Sequence, residues 1–227
     1  MSADVAEGTP TARMMTLPGV YAPQHDTRLL MAALNREEIG PGTEVLDVGT
    51  GSGALALHAA RLGARVTAVD VARRAVATAR LNALLHRRRI TVRRSDLLAA
   101  LPGHSYDLVI CNPPYVPSPL GRLPGHGAAR AWEAGRDGRA ILDRVCETAP
   151  AALRPGGRLL LVHSGLCDSE VTLRRLSDAG LQAHVSDRAL VPLGPVLRSR
   201  LRWLRETGLV DGGATAEELV VIRAEHA

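Results

Sequence analysis

The stretch "TEVLDVGTGSGALALHAARLG", residues 43–63, contains a strand, a glycine-rich turn and a helix in that order. "TEVLDV" (43–48) is rich in β-branched and apolar residues, and "ALALHAARLG" (54–63) has the pattern of a helix that Gly63 ends. The glycines at positions 49, 51 and 53 allow a tight turn and a close approach of the backbone to a ligand. In doubly wound sheets, nucleotide-like ligands bind at this position, beyond the carboxyl end of a strand.

Strand-like and helix-like segments alternate after this stretch. Beyond the helix at 54–63, helices are predicted over 71–87, from near Asp137 to 153, and over about 168–179. Strands are predicted at 43–48, 65–70, 90–94, 106–110, 158–164, 181–186 and 218–224. This alternation predicts an α/β, Rossmann-like fold: a mostly parallel seven-stranded sheet with helices on both faces. We expect residues 1–16 to be a flexible leader and 17–227 a single domain, in which 188–216 hold a short helix on a long connection.

Size and composition limit the class of protein. The 227 residues fit one domain, and no apolar run approaches the ~18 residues of a membrane span. The first residues lack the pattern of a secretory signal, and Cys111, Cys146 and Cys167 have no disulfide or metal-ligand spacing, so we expect a cytoplasmic protein without a metal site. The net charge is +5, and every basic residue that contributes to it is an arginine, since the sequence contains no lysine. The arginine cluster "HRRRITVRR" (86–94) is either a solvated face or a phosphate-binding patch.

Acidic residues accompany the glycine loop at the ends of successive strands. Asp47 precedes the glycines, where it would repel a pyrophosphate but would hold a cationic amino acid group. Asp70 ends the second strand and is placed to accept the hydroxyls of a ribose, and Asp96 follows the third strand, with Leu97 beside it for an adenine ring. Gly49, with Gly51 and Ala54, also fits a dinucleotide fingerprint. The acidic residues favour S-adenosylmethionine (SAM) over NAD, because SAM carries an ammonium and a sulfonium and no phosphates. Asp47, Gly49, Gly51, Gly53, Asp70, Asp96 and Leu97 are therefore the predicted cofactor residues.

The segment "CNPPYVP" (111–117) follows the fourth predicted strand. Because prolines cannot continue a central strand, another requirement must place them there. The Asn112 side chain and the Pro113 carbonyl offer two acceptors for the hydrogens of a planar –NH₂ group, and Tyr115 can pack on its flat face. Amide and aromatic amino nitrogens are poor nucleophiles, so orientation and proximity are the main help an enzyme can give. These three residues are the predicted catalytic set for N-methylation.

Together these segments resemble the HemK/PrmC-like glutamine methyltransferases, class I SAM-dependent enzymes that modify peptide release factors. The resemblance covers roughly residues 18–187 and is closest to the short branch without the N-terminal helical domain. "DVGTGSG" and "CNPPYVP" match the wider family, while "GVYAPQHDTRLL" (19–30) and "HGAARAWEAGRDGRAILDR" (126–144) match the short branch. The resemblance implies that SAM contacts Thr27, Asp47, Gly49, Asp70, Asp96, Leu97 and Asn112.

The sequence departs from the family pattern near the predicted substrate site. Ala22 and His25 replace acidic residues, Ala134 replaces a glycine, and 188–216 is longer than expected for the branch. The resemblance also implies that a small zinc-binding activator subunit can accompany such an enzyme.

The leading hypothesis is methylation of a glutamine side chain in a peptide release factor. The alternatives are an exocyclic base nitrogen in DNA or RNA, for which "NPPY" suits adenine N6 equally well, and a small amide or amine metabolite. A base inside a duplex would have to be flipped out. A SAM-binding sensor without activity is a further alternative, and it predicts that Asn112 is dispensable.

Overall fold

One mixed sheet organises the structure, a computed structural model that describes residues 14–97, 103, 105–125 and 127–226. Residues 1–13 of the predicted leader, and His126 of the second branch segment, lie outside this part. The strands of the described residues are β1 (Glu44–Val48), β2 (Arg65–Asp70), β3 (Ile90–Arg94), β4 (Tyr106–Cys111), β5 (Leu153–Ser164), β6 (Leu181–Pro192) and β7 (Ala216–His226). Their order is β3-β2-β1-β4-β5-β7-β6. β7 is antiparallel to both of its neighbours and the other pairs are parallel, so the predicted fold class is confirmed.

The strand order reverses between β1 and β4. The chain runs outward from β1 to β2 and β3, and then returns to place β4 on the other side of β1. At such a switch point the loops after the two strands diverge and leave a crevice for a ligand. The register pairs Val48 with Cys111. Gly49 and Asn112 therefore emerge side by side, which brings the glycine loop and "NPPY" to one edge of the sheet.

Helices cover both faces of the sheet. The helices are α1 (His25–Leu34), α2 (Ala54–Arg61), α3 (Arg73–Leu85), α4 (Ala140–Thr148), α5 (Ser169–Asp178), α6 (Pro195–Ser199) and α7 (Leu201–Glu206). Alternation along β4 shows why two layers form: Leu108 and Ile110 join a core with α1, α2 and α3, while Val109 joins a core with α4 and α5. Among the described residues, no helix has the length and apolar composition needed to cross a membrane.

Several boundaries differ from the sequence prediction. α4 begins at Ala140 rather than near Asp137, because Gly138 has φ +75° and the Asp137 carboxylate accepts the amide of Arg139 at 2.9 Å in the preceding turn. β5 begins at Leu153, since the "RPGG" stretch (154–157) lies within a strand whose pairing with β4 shifts register.

Residues 188–216 are more ordered than a long connection. β6 runs to Pro192 and β7 begins at Ala216, so both ends of the stretch belong to the sheet. Two short helices, α6 and α7, lie between them, where one was expected.

Candidate active site

A cavity of 840 Å³ opens at the carboxyl edge of the sheet, at the switch point between β1 and β4. Its volume is within the ~300–1,000 Å³ range of small-molecule sites. The cavity is lined by the glycine loop, the ends of β2, β3 and β4, the start of α1 and residues 123–125, 127–128 and 130–133. Of the predicted residues, it is lined by Thr27, Gly49, Gly51, Asp70, Asp96, Leu97, Asn112, Pro113 and Tyr115.

The glycine loop is held by the neighbouring strand. The amides of Gly49 and Thr50 both donate to the Val69 carbonyl, at 2.9 and 3.0 Å. Gly51 has φ +55° and Gly53 has φ +85°, a conformation that favours glycine. A Cβ on Gly53 would lie 3.2 Å from the Cα of Ala79 in α3. Gly53, which is absent from the cavity lining, therefore acts by allowing helices to pack closely beneath the loop.

Asp47 lies under the glycine loop rather than in the cavity wall. Its Oδ2 accepts the Thr50 hydroxyl at 2.6 Å and the Ala56 amide at 3.1 Å, whereas Oδ1 has no hydrogen-bond partner in the described part of the chain. Burial raises the pKa of this fully buried carboxyl to about 7. When it is ionised, this carboxylate, with one oxygen unpaired among the described residues, suits a cationic ligand above the loop.

Asp70 is oriented at the end of β2 by two backbone amides. Oδ2 accepts the Gly51 amide at 3.0 Å, and Oδ1 accepts the Ala72 amide at 2.8 Å. Each carboxylate oxygen keeps a further lone pair, so the group can still accept two hydroxyls, as a ribose requires. Burial raises the pKa of Asp70.

Asp96 and Leu97 lie at the far end of the cavity. The Asp96 carboxylate forms an ion pair with Arg144 at 3.0 Å, and its side chain is 54% exposed. Leu97 has φ +49°, a left-handed conformation that is uncommon for a residue with a branched side chain. Arg144 also lines the cavity. Sequence reasoning missed it, because one arginine among many on α4 carries no distinguishing signal.

Asn112 is positioned by the start of α1. Its Nδ2 donates to the Thr27 hydroxyl at 3.4 Å, an assignment consistent with that hydroxyl donating in turn to Asp26. The Oδ1 atom therefore faces away from Thr27 and is left as an acceptor within the cavity.

A buried carboxylate, that of Asp26, joins α1 to the "NPPY" segment. Asp26 accepts the hydroxyl of Tyr21 at 2.8 Å and that of Tyr115 at 2.9 Å, both on Oδ2, while Thr27 donates its hydroxyl to Oδ1 at 3.2 Å. Tyr115 is thereby held with its ring at the cavity and its hydroxyl in the core. Sequence reasoning assigned Asp26 and Tyr21 no role at the site, although both belong to the quoted segment 19–30.

The outer wall of the cavity is a pair of chain segments, 115–118 and 132–135, which we call the substrate wall. Three backbone hydrogen bonds join the two segments. The Val116 amide donates to the Trp132 carbonyl at 2.7 Å, the Ala134 amide to the Val116 carbonyl at 3.1 Å, and the Ser118 amide to the Gly135 carbonyl at 2.8 Å. Gly138 follows with φ +75°, and a Cβ there would overlap the Tyr115 carbonyl oxygen. The glycine is thus required by the close approach of two backbones.

Comparison with known proteins identifies the family. The family model described as the methyltransferase small domain matches residues 11–119. Mouse methyltransferase HEMK2 is 36% identical over 172 residues, which are 72% of this chain and 80% of that protein. A candidate protein N5-glutamine methyltransferase of Methanocaldococcus jannaschii is 32% identical, over 77% of this chain and 87% of that protein. The chain belongs to the HemK/PrmC-like methyltransferases.

A further relative and a solved structure agree with this membership. The release factor glutamine methyltransferase of Bordetella pertussis is 38% identical over 76% of this chain and 67% of its own length. The structure of the E. cuniculi Mtq2–Trm112 complex, which methylates the eRF1 translation termination factor, matches with a TM-score of 0.65 and 25% identity, over 92% of this chain and 99% of that one.

The chain is thus a SAM-dependent methyltransferase, and its residues fit the cofactor. The unpaired Asp47 oxygen lies under the loop, Asp70 presents free lone pairs, and Leu97 offers an apolar side chain beside Asp96. The role of each individual residue toward SAM stays a prediction.

Proposed function

We propose that this methyltransferase modifies the side-chain amide nitrogen of a glutamine in a peptide release factor. The observation that carries the proposal is the Asn112 amide, whose Nδ2 is engaged by Thr27 so that Oδ1 is left as an acceptor beside the predicted cofactor residues. The named activities of the bacterial release factor methyltransferase and the Mtq2 complex support the same substrate class. A cytoplasmic location follows from the proposal, since release factors act there.

The proposed mechanism depends on orientation. Asn112 Oδ1 and the Pro113 carbonyl accept one hydrogen each from the substrate –NH₂, which holds the nitrogen in place and turns its lone pair toward the cofactor site. Bound SAM supplies an electrophilic methyl group. Tyr115 packs against the flat amide, and its hydroxyl bond to Asp26 keeps the ring from turning. Amide nitrogen is acidic only after it has gained the methyl group, so water suffices to remove the proton.

Transfer of a labelled methyl group from SAM to purified release factor tests the proposal. Parallel reactions contain the factor with its acceptor glutamine replaced, unmethylated DNA, and tRNA. We expect label on the native factor alone. Label on nucleic acid alone would overturn the proposal in favour of base methylation, and label on the glutamine-replaced factor would exclude the assigned acceptor.

We also propose that a small zinc-binding activator subunit binds at the β3 edge of the sheet. β3 is an edge strand, and on the adjacent α3 the leucines Leu81, Leu84 and Leu85 are exposed, Leu84 by 75%. An apolar patch beside an unpaired strand edge is a typical protein-binding surface. The solved E. cuniculi relative is itself a complex with Trm112.

The test is co-expression of the chain with a Trm112-type subunit, followed by co-purification. Leu84→Arg should abolish co-purification, while Leu190→Arg, on the opposite edge strand and 78% exposed, serves as the matched control. Equal recovery of the partner with both variants would place the subunit elsewhere.

A further inference from the structure

Residues 193–210 form a small apolar core of their own beside the substrate wall. Leu193, Leu197 and Leu204 are almost fully buried within it. Val116, which directly follows Tyr115, packs against this core. Part of the stretch 188–216, which is longer than expected for the branch, therefore contacts the segment that carries the predicted catalytic residues.

Arg200 links this core to the substrate wall by polar bonds. It lies at the junction of α6 and α7, and its Nη1 donates to the Pro117 carbonyl at 2.7 Å. Its Nη2 forms an ion pair with Glu133. The Glu133 side chain is 6% exposed and that of Arg200 is 18% exposed, so water screens the pair little.

The two acceptors of Arg200 lie on opposite segments of the wall. Pro117 belongs to the first segment, 115–118, which follows Asn112 and Pro113 in the chain. Glu133 belongs to the second segment, between two residues that hydrogen-bond to Val116. One guanidinium group thus ties both segments together from outside the cavity. A lysine at this position would not hold both, because its ammonium lacks the planar fork.

We propose that Arg200 is a positioning residue for methyl transfer. By fixing Pro117 and Glu133, it fixes the substrate wall, and with it the position of the preceding residues Asn112 and Pro113, which present their acceptors to the substrate amide. A displacement of about 1 Å in such a group costs about 100-fold in rate, so loss of Arg200 lowers kcat while SAM binding, on the other side of the cavity, is unchanged. The inference rests on the proposed function for its choice of substrate.

The test separates positioning from folding by pairing Arg200→Met with Glu133→Gln. Arg200→Met alone leaves a buried carboxylate unpaired and should lower Tm, whereas the double variant removes that charge and should recover most of the Tm. We expect the double variant to keep a kcat on release factor about tenfold or more below wild type, with the Kd for SAM within about twofold. Recovery of kcat together with Tm would overturn the inference.

Arg202→Ala is the matched control, since Arg202 lies on the same helix, pairs with Glu206 and is 93% exposed. It should leave kcat, Tm and SAM affinity unchanged.

If the wild type does not label release factor, the proposed function fails, but amide hydrogen exchange still tests the positioning role of Arg200. Exchange at the amides of Val116 and Ala134 should then rise about tenfold in the double variant but not in Arg202→Ala, with β4 amides unchanged in both. Unchanged exchange would overturn the positioning role.

Discussion

The two halves of the cavity are built in different ways. On the cofactor half, the bonds that shape the site join the loop after β1 to the end of β2, as in the Gly51–Asp70 bond. On the substrate half, they join residues far apart in the chain: Asp26 to Tyr115, 89 residues apart, and Arg200 to Pro117, 83 apart. The predicted cofactor residues are thus placed by the ends of neighbouring strands, whereas the proposed substrate residues are placed by contacts between distant parts of the chain. Variants should therefore separate the two halves.

Asn112→Ala should separate the halves most clearly. It removes the acceptor that orients the substrate amide, so turnover should fall by about 100- to 1,000-fold. SAM affinity, measured by calorimetry, should change by less than about threefold, because Asp47 and Asp70 remain. Retained turnover would contradict the proposed role of Asn112 in the mechanism.

Gly138→Ala should destabilise the substrate half, because the backbone at Gly138 lies very close to another segment. The added Cβ would meet the Tyr115 carbonyl oxygen and lie 2.8 Å from Cys167 Sγ. We expect a loss of about 3 kcal/mol in the free energy of unfolding, which thermal denaturation would report as a fall in Tm of about 6–12 °C.

The matched control for Gly138→Ala is Gly156→Ala. Gly156 likewise has a left-handed φ, +70°, but a Cβ added there would meet no atom within 4 Å among the described residues. Its substitution should cost about 1 kcal/mol, the price of the backbone conformation alone. Equal losses at the two positions would mean that the close approach to Tyr115 is not what requires Gly138.

Asp70→Ala should affect the cofactor half alone. Loss of a charged acceptor for two hydroxyls should weaken SAM binding about 10- to 100-fold, with kcat at saturating SAM much less changed. Equilibrium binding of SAM, followed by kinetics over a wide SAM range, measures both. An unchanged Kd would show that the ribose binds elsewhere.

Asp47→Asn should change how the stability of the SAM-free protein depends on pH. Because burial raises the pKa of Asp47 to about 7, the folded state favours the protonated carboxyl. Its contribution is present at acidic pH and is lost as pH rises from about 4 to about 7. The Tm of wild type minus that of Asp47→Asn should thus decrease by about 3 °C or more over this range. A difference independent of pH would place the Asp47 pKa near its ordinary value.

The sequence predicted the cofactor half better than the substrate half, for a physical reason. Gly49, Gly51 and Asp70 lie at or within three residues of the ends of their strands, so alternation of strands and helices was enough to bring them to one cavity. Arg200 reaches the substrate wall only through the packing of α6 and α7, which depends on side-chain shape rather than periodicity. Arg144, which pairs with Asp96, was missed on the cofactor half for the same reason.

Tyr21 and Asp26 are an intermediate case between these two groups. Resemblance to the family pointed to their segment, 19–30, but not to their bonds. The bond between Tyr21 and Asp26 is local, whereas the bond between Tyr115 and Asp26 forms only once α1 has docked against the residues that follow β4.

The position of β7 has a consequence for how the enzyme is made. β7 is the last strand in chain order, yet it lies between β5 and β6 and pairs with both along its length. On the ribosome, β5 and β6 would emerge first, each with an unpaired edge that can bind other chains. The sheet can close only after residues 216–226 have left the exit tunnel. An enzyme proposed to act on termination factors would therefore complete its own sheet only after β7, the last strand of the described residues, has been made and released.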